Sequence, residues 1–240
     1  QIIYQLNGDK DQDGYVPAAG LLVGSDGYLY GSTVYGARRT VFNLQDGAGT
    51  LFRVKQDGTG FQTLHVFDTN FSDALYTDNT LIPNISRNSN GYYPSFPLIE
   101  NDGYLYGVTQ LGGVNGTGAI FRLRLDGSDF QVIHSFAALN KDGRGSVSAD
   151  GVEPEGAFPS GPLLLTSDGM LYGVTQGGGK NLYTLTNNTV SANPLVTTRG
   201  TGTIYKVSKD GSQFATVHSF TSLNDAFDAD LATGDYLGFN

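Results

Sequence analysis

The chain has 240 residues, of which 34 are Gly and none is Cys, and it carries a net charge of -9 from 14 basic and 23 acidic side chains. Those numbers argue against the clustered Lys and Arg surface that displaces counterions from nucleic acid, and they exclude disulfides, thiolate chemistry and Cys-ligated metals. No apolar run approaches the roughly 20 residues of a membrane-spanning helix, while 39% hydrophobic residues are enough to bury one large domain.

The first segment, Gln1–Leu6 (Gln1, Ile2, Ile3, Tyr4, Gln5, Leu6), reads QIIYQL and aligns with QTLHVF at Gln62–Phe67, Tyr4 taking the place of His65. It is predicted to be a lone fourth strand, and it or the opposite edge of the array is predicted to contact another copy of the chain. Next comes Asp9-Lys10-Asp11-Gln12-Asp13-Gly14. Alternating carboxylates followed by a turn glycine match the first half of a calcium loop, but the twelfth position is Gly20 instead of Glu, so the EF-hand form fails. Asp9, Asp11 and Asp13 remain the candidate Ca2+ ligands, against the plainer reading of a solvated acidic turn.

From Pro17 onward the sequence repeats. PAAGLLVGSDGYLYGSTVYG (Pro17–Gly36) recurs at Pro94–Gly113 and Pro159–Gly179, and GTLFRVKQDGTGFQTLHVF (Gly49–Phe67) recurs without a gap at Gly118–Phe136 and Gly202–Phe220. Each half places Asp-Gly between two apolar, alternating segments, the strongest short hairpin signal, because Gly accepts the positive φ of a tight turn. Two hairpins give four antiparallel strands, the unit of a β-propeller blade. The expected fold is therefore all-β: one domain over 1–240 with three four-stranded, propeller-type repeats at about 7–67, 91–136 and 151–220, plus the orphan N-terminal strand. Linkers are irregular, and the one at Lys180–Gly200 contains NLYTLTNNTVSANPL, which reads as an extra hairpin. Spacing between units varies, with 76 residues from Asp26 to Asp102 and 66 from Asp102 to Asp168.

The repeated Ser-Asp-Gly-x-Leu-Tyr-Gly, the following Gly-Gly, Gly-Thr-x-Phe/Tyr, the second Asp-Gly and the closing Phe resemble the GloVer-type tandem repeats of bacterial exported proteins. DGYVP at Asp13–Pro17 and DGVEP at Asp150–Pro154 resemble that family's inter-repeat Asp-Gly-x-x-Pro. The resemblance implies export and a propeller-like fold; it implies no activity.

Three units leave the array open. Closed propellers take about 4–8 blades, and open sheet edges invite pairing. Either the natural chain is longer, as a start at Gln1 without a signal peptide also allows, or copies complete one another head to tail.

Little chemistry stands out from this framework. The only three histidines, His65, His134 and His218, occupy one repeat position, so they are read as serving the blade. Asp26, Asp57, Asp102, Asp126, Asp168 and Asp210 all precede Gly in turns, which explains them. Sequons at Asn70, Asn84, Asn115 and Asn187 lie in loops and are candidate glycosylation sites. With charged residues at only 15%, the expectation is a secreted or cell-surface protein, non-enzymatic, structural or adhesive, with other copies of itself as partner and glycans as an alternative one. A lectin-like propeller and a fragment of a carbohydrate-active enzyme are the rival readings. No nucleic acid and no membrane insertion are expected.

Overall fold

The computed structural model describes residues 2–6, 13–36, 47–67, 88–139, 154–180, 182–186 and 196–220. All regular structure among them is β. In the first blade the opening strand comes in two pieces, β1 (Tyr15–Pro17) and β2 (Leu22–Val23), both antiparallel to β3 (Tyr28–Tyr35). Strand β3 then pairs with β4 (Thr50–Lys55), and β4 with β5 (Gln62–Val66). The second blade runs β6 (Ile99–Asn101), β7 (Tyr104–Thr109), β8 (Ala119–Arg124) and β9 (Gln131–Ser135), with a single bridge from Tyr92 to Leu111 where β1 meets β3 in the first. In the third, β10 (Gly156–Pro159) and β11 (Leu164–Leu165) pair with β12 (Met170–Gly178). An added antiparallel hairpin follows, β13 (Leu182–Thr186) with β14 (Val196–Gly200), and then β15 (Thr203–Ser208) and β16 (Phe214–Ser219) complete the sheet. The three blades and their antiparallel hairpins are those expected from the repeat; the inserted hairpin falls in the expected linker, with its second strand beyond the NLYTLTNNTVSANPL stretch.

Each Asp-Gly sits at its turn for a local reason. Except at Asp102, which itself has φ +52°, the Asp carboxylate accepts the amide two residues on, as Asp57 does from Thr59 (2.9 Å), Asp126 from Ser128 (2.9 Å) and Asp210 from Ser212 (3.0 Å). Neighbouring hydroxyls, Thr59, Ser128 and Ser208, hold these three carboxyls below the usual carboxylate range. The glycines that follow take the left-handed φ, +84°, +88° and +77°, which a side chain disfavours.

Two details differ from the sequence reading. Pro17 pairs with Thr33, and Pro159 with Thr175, so DGYVP corresponds to EGAFP at Glu155–Pro159, not to DGVEP. What decides the register is Gly: a Cβ on Gly14 would collide with Thr33 and Thr50, and one on Gly156 with Thr175 and Thr203. The second correction concerns the N-terminus. Residues 2–6 form no strand. A strand needs a ladder partner, and among the described residues none pairs with residues 2–6; Gln1 lies outside the described residues.

The apolar cores lie between blades. Tyr30, Leu51 and Phe67 of the first blade pack with Leu98, Leu105 and Phe121 of the second. Tyr106, Val108 and Ile133 of the second pack with Leu163, Tyr205 and Val207 of the third. Sheet is therefore laid on sheet, and each blade buries one face against the next.

Candidate interaction site

The two junctions between blades are built from the same parts, starting with a bulge. In each outer hairpin the register shifts at one point, between Leu51 and Phe52, Ile120 and Phe121, and Ile204 and Tyr205. The shift inserts Leu64, Ile133 or Val217 as an extra residue immediately before the repeated His. At the first junction the His65 ring lies flat on Phe130, 3.5 Å between centroids and 4° from parallel. At the second, His134 lies on Phe214 at 3.8 Å and 5°. Burial pushes the His65 imidazole down to about 4. His134 Nε2 instead stands 3.3 Å from the buried carboxylate of Glu155, which also accepts from the Ala137 amide at 2.9 Å.

Around these stacks the bonding recurs. Arg53 Nη1 donates to the Leu125 carbonyl (3.1 Å) and Arg122 Nη1 to the Lys209 carbonyl (3.0 Å), each acceptor being the residue before the next blade's second Asp-Gly. The Tyr93 amide donates to the Ala48 carbonyl (3.1 Å), and the Phe158 amide to that of Thr117 (2.7 Å). Both donors have φ near +60°, as has Val16 at the same position of the first blade, a region that bulky residues rarely adopt. The strained backbone aims its N–H across the junction. Pro94 and Pro159 press on Gly49 and Gly118 of the preceding blade, where no Cβ fits.

At the two ends of the stack the same positions are bare. Val217 is 51% exposed where Ile133 is 9% exposed. Leu21 is 52% exposed, against 5% and 4% for Leu98 and Leu163. Val174 is 37% exposed, against 1% for Val108. Of the nine large hydrophobic side chains exposed among the described residues, all but Val114 lie at these ends: Ile2, Ile3, Val16, Leu21 and Val23 at the first blade, Leu164, Val174 and Val217 at the third.

Residues 2–6 occupy part of the first blade's free face. Tyr4 stacks on Phe61, 4.2 Å between centroids and 2° from parallel, as His65 does on Phe130. The Ile3 carbonyl abuts Gly58, in the relation that Leu64 has to Gly127 and Ile133 to Gly211. The alignment of Tyr4 with the repeated His thus holds in space, although no strand forms.

The profile of the Gloeobacter/Verrucomicrobia repeat matches residues 1–148 and, overlapping them, 77–227. The chain belongs to this repeat family. The resemblance drawn from Ser-Asp-Gly-x-Leu-Tyr-Gly and its companions is therefore borne out for this Gloeobacter/Verrucomicrobia repeat protein. No curated protein matches it.

The other predicted positions of this repeat protein do not converge. Asp9 and Asp11 lie outside the described residues, and Asp13 is fully buried, in register with Asn90 and Glu155. Among the described residues no three His, Cys, Asp or Glu side chains come together as metal ligands. Asn70, Asn84 and Asn187 also lie outside the described residues, while the Asn115 amide donates to the Phe136 carbonyl at 2.8 Å. A second cluster was not foreseen. Tyr15, Tyr35, Tyr92 and Tyr93, all half-buried, pack where the first two blades meet, with ring centroids 5.4 Å apart for Tyr15 and Tyr35, 5.2 Å for Tyr35 and Tyr93 and 3.8 Å for Tyr92 and Tyr93. Burial raises the pKa of Tyr92 and Tyr93.

Proposed function

We propose that this protein is a non-enzymatic, extracellular structural repeat whose end faces join further blades, the third blade of one copy meeting the first blade of another. The observation that supports this reading is the exposure of Val217, Leu21 and Val174, whose counterparts Ile133, Leu98, Leu163 and Val108 are buried at the internal junctions and Leu64 half-buried. Apolar side chains gathered at both ends of a stack are an interaction surface, since a contiguous apolar patch in water is costly. Because the two faces differ, the contact is head to tail, and it closes into a ring or runs on as a filament. Such a polymer outside the cell serves surface structure or adhesion.

Sedimentation velocity over a rising concentration series tests it. The expected result is a sedimentation coefficient that grows with concentration and ceases to do so in Val217→Asp. A folded chain that stays monomeric at every soluble concentration, with residues 1–6 present or removed, overturns the reading.

Glycan binding is the second reading, and the tyrosine cluster favours it, because amphipathic rings present flat surfaces with polar edges. A glycan array distinguishes the two: binding lost in Tyr35→Ala, with association intact, would establish it as a separate property.

A further inference from the structure

The two internal junctions carry the same histidine but give it different partners. Asn90 and Glu155 hold one repeat position, the residue before Gly91 and Gly156. At the first junction Asn90 Nδ2 stands 3.4 Å from His65 Nε2. At the second, a Glu155 carboxylate oxygen stands 3.3 Å from His134 Nε2, the two side chains being 7% and 14% exposed. An amide N–H donates only to an unprotonated ring nitrogen, whereas a carboxylate accepts from one that bears a proton. Turned over, the Asn90 amide would offer its oxygen, yet it brings no charge to offset an imidazolium. Each histidine is covered by a ring of the next blade, Phe130 over His65 and Phe214 over His134.

The other charged groups on the elements packed here have their own partners. Asp129, beside Phe130, accepts from Tyr104 and Gln131. Arg53 and Arg122 hold Gln62 and Gln131 and reach the carbonyls of the next blade. Asp126 and Asp210 are tied into their turns, and His218, on the strand of Phe214, stands against Phe220. Among the described residues, Glu155 is the charged partner that one histidine has and the other lacks.

We infer that mild acidification opens the first junction and spares the second, so that the first blade parts from a second and third that stay joined. Opening the first junction returns His65 to water, where it takes a proton near pH 6.5, while under Phe130 it takes one only near pH 4. Proton uptake therefore favours the open form as the pH falls through that window, by up to about tenfold per pH unit. At the second junction a proton on His134 completes an ion pair that spans the two blades, and opening would separate opposite charges. The device lies between blades of one chain and needs neither end face.

Thiol labelling tests this, because the chain has no Cys of its own. Leu98→Cys and Leu163→Cys place one thiol in the core of each junction, at side chains 5% and 4% exposed. Labelling of the full chain by an aromatic disulfide is followed at pH 7.5 and 5, each rate divided by that of the urea-unfolded chain at the same pH. The normalised rate at Leu98→Cys is expected to rise about thirtyfold and that at Leu163→Cys by less than about threefold. His65→Phe should abolish the rise. Glu155→Gln should confer it on Leu163→Cys, since His134 then faces an amide. Equal rises at both sites, no rise at Leu98→Cys, a rise that survives His65→Phe, or a Leu163→Cys unmoved by Glu155→Gln would each overturn the inference. Should a variant fail to fold, hydrogen exchange of the unsubstituted chain supplies the contrast. The Tyr93 amide, bonded to Ala48, is expected to lose protection at pH 5, and the Phe158 amide, bonded to Thr117, to keep it; equal changes would overturn the inference again.

Discussion

The ring of His134 lies 5° from parallel on the ring of Phe214, and the two residues come from different blades. Four residues after each second Asp there is a Phe, and each of Phe61, Phe130 and Phe214 takes a ring from the segment before it. Truncation should therefore cost stability according to how complete the junction is. Phe130→Ala and Phe214→Ala are expected to lose about 3 kcal/mol each, near the lower end for a large-to-small change because the rings are only half-buried. Phe61→Ala, which uncovers only Tyr4 and Phe52, should lose about half as much. Urea denaturation of the three variants measures the ordering; equal losses would refute it.

The two stacked histidines that face a further blade differ in their partners, and burial holds His65 neutral, with its pKa down from 6.5 to about 4. The unfolded chain takes up this proton near pH 6.5 and the folded chain only near 4, so the stability due to neutral His65 is present above pH 6.5 and is lost as the pH falls from 6.5 to 4. The loss across that window is on the order of 3 kcal/mol. Melting temperatures at pH 8, 6 and 4.5 check it. His65→Phe keeps a flat ring against Phe130 and should flatten the slope in that window; an unchanged slope would place the effect elsewhere.

Turn glycines separate backbone strain from contact between blades. Gly103 has φ +74° and open space around it, so Gly103→Ala bears only the left-handed conformation, about 1 kcal/mol. Gly211 has φ +77° and faces the Ile133 carbonyl of the preceding blade with no room for a Cβ. Gly211→Ala is expected to lose about 3 kcal/mol or more, the added cost coming from separating the second and third blades. Gly127→Ala, with 2.8 Å to the Leu64 carbonyl, should fall between. Denaturant midpoints in the order Gly103→Ala, Gly127→Ala, Gly211→Ala check this.

Arg53 ties two groups together. Its Nη1 reaches Leu125 across the junction while Nε and Nη2 hold Gln62 at 3.1 and 2.8 Å. A lysine cannot make that fork. Arg53→Lys is expected to cost about 1–2 kcal/mol, most of it through the Leu125 carbonyl. A double-mutant cycle with Gln62→Ala separates the within-blade share from the share between blades.

Blade count, hairpin positions and turn residues were legible in the sequence because they are local. Asp-Gly needs only its own neighbours to make a tight turn, and a period-two pattern needs only one pair of strands. The likeness of Asp-Gly-x-x-Pro at Asp150 to Asp13–Pro17 did not carry over, although the match of Pro17 with Pro159 did, because the register is set by whether Gly156 fits under Thr175 and Thr203, residues that lie about 20 and 50 positions on. The repeated His was read as serving the blade; the Phe on which His65 and His134 stack was not seen, although a Phe four residues beyond each second Asp was there to be found.

By itself, the sequence determined an all-β chain of three repeated blades, since propensity, turn chemistry and alternation act over a few residues. Tertiary structure alone decided that the cores lie between blades, that Tyr4 takes a histidine's place on Phe61 without a strand around it, and that Val217 and Leu21 stay exposed where their counterparts are buried. The physical reason is that a side chain's burial depends on which face of the neighbouring sheet covers it. Homologous repeats carry apolar residues of the same kind at equivalent positions, as Leu64, Ile133 and Val217 do, so their placement is what distinguishes an interior blade face from an end.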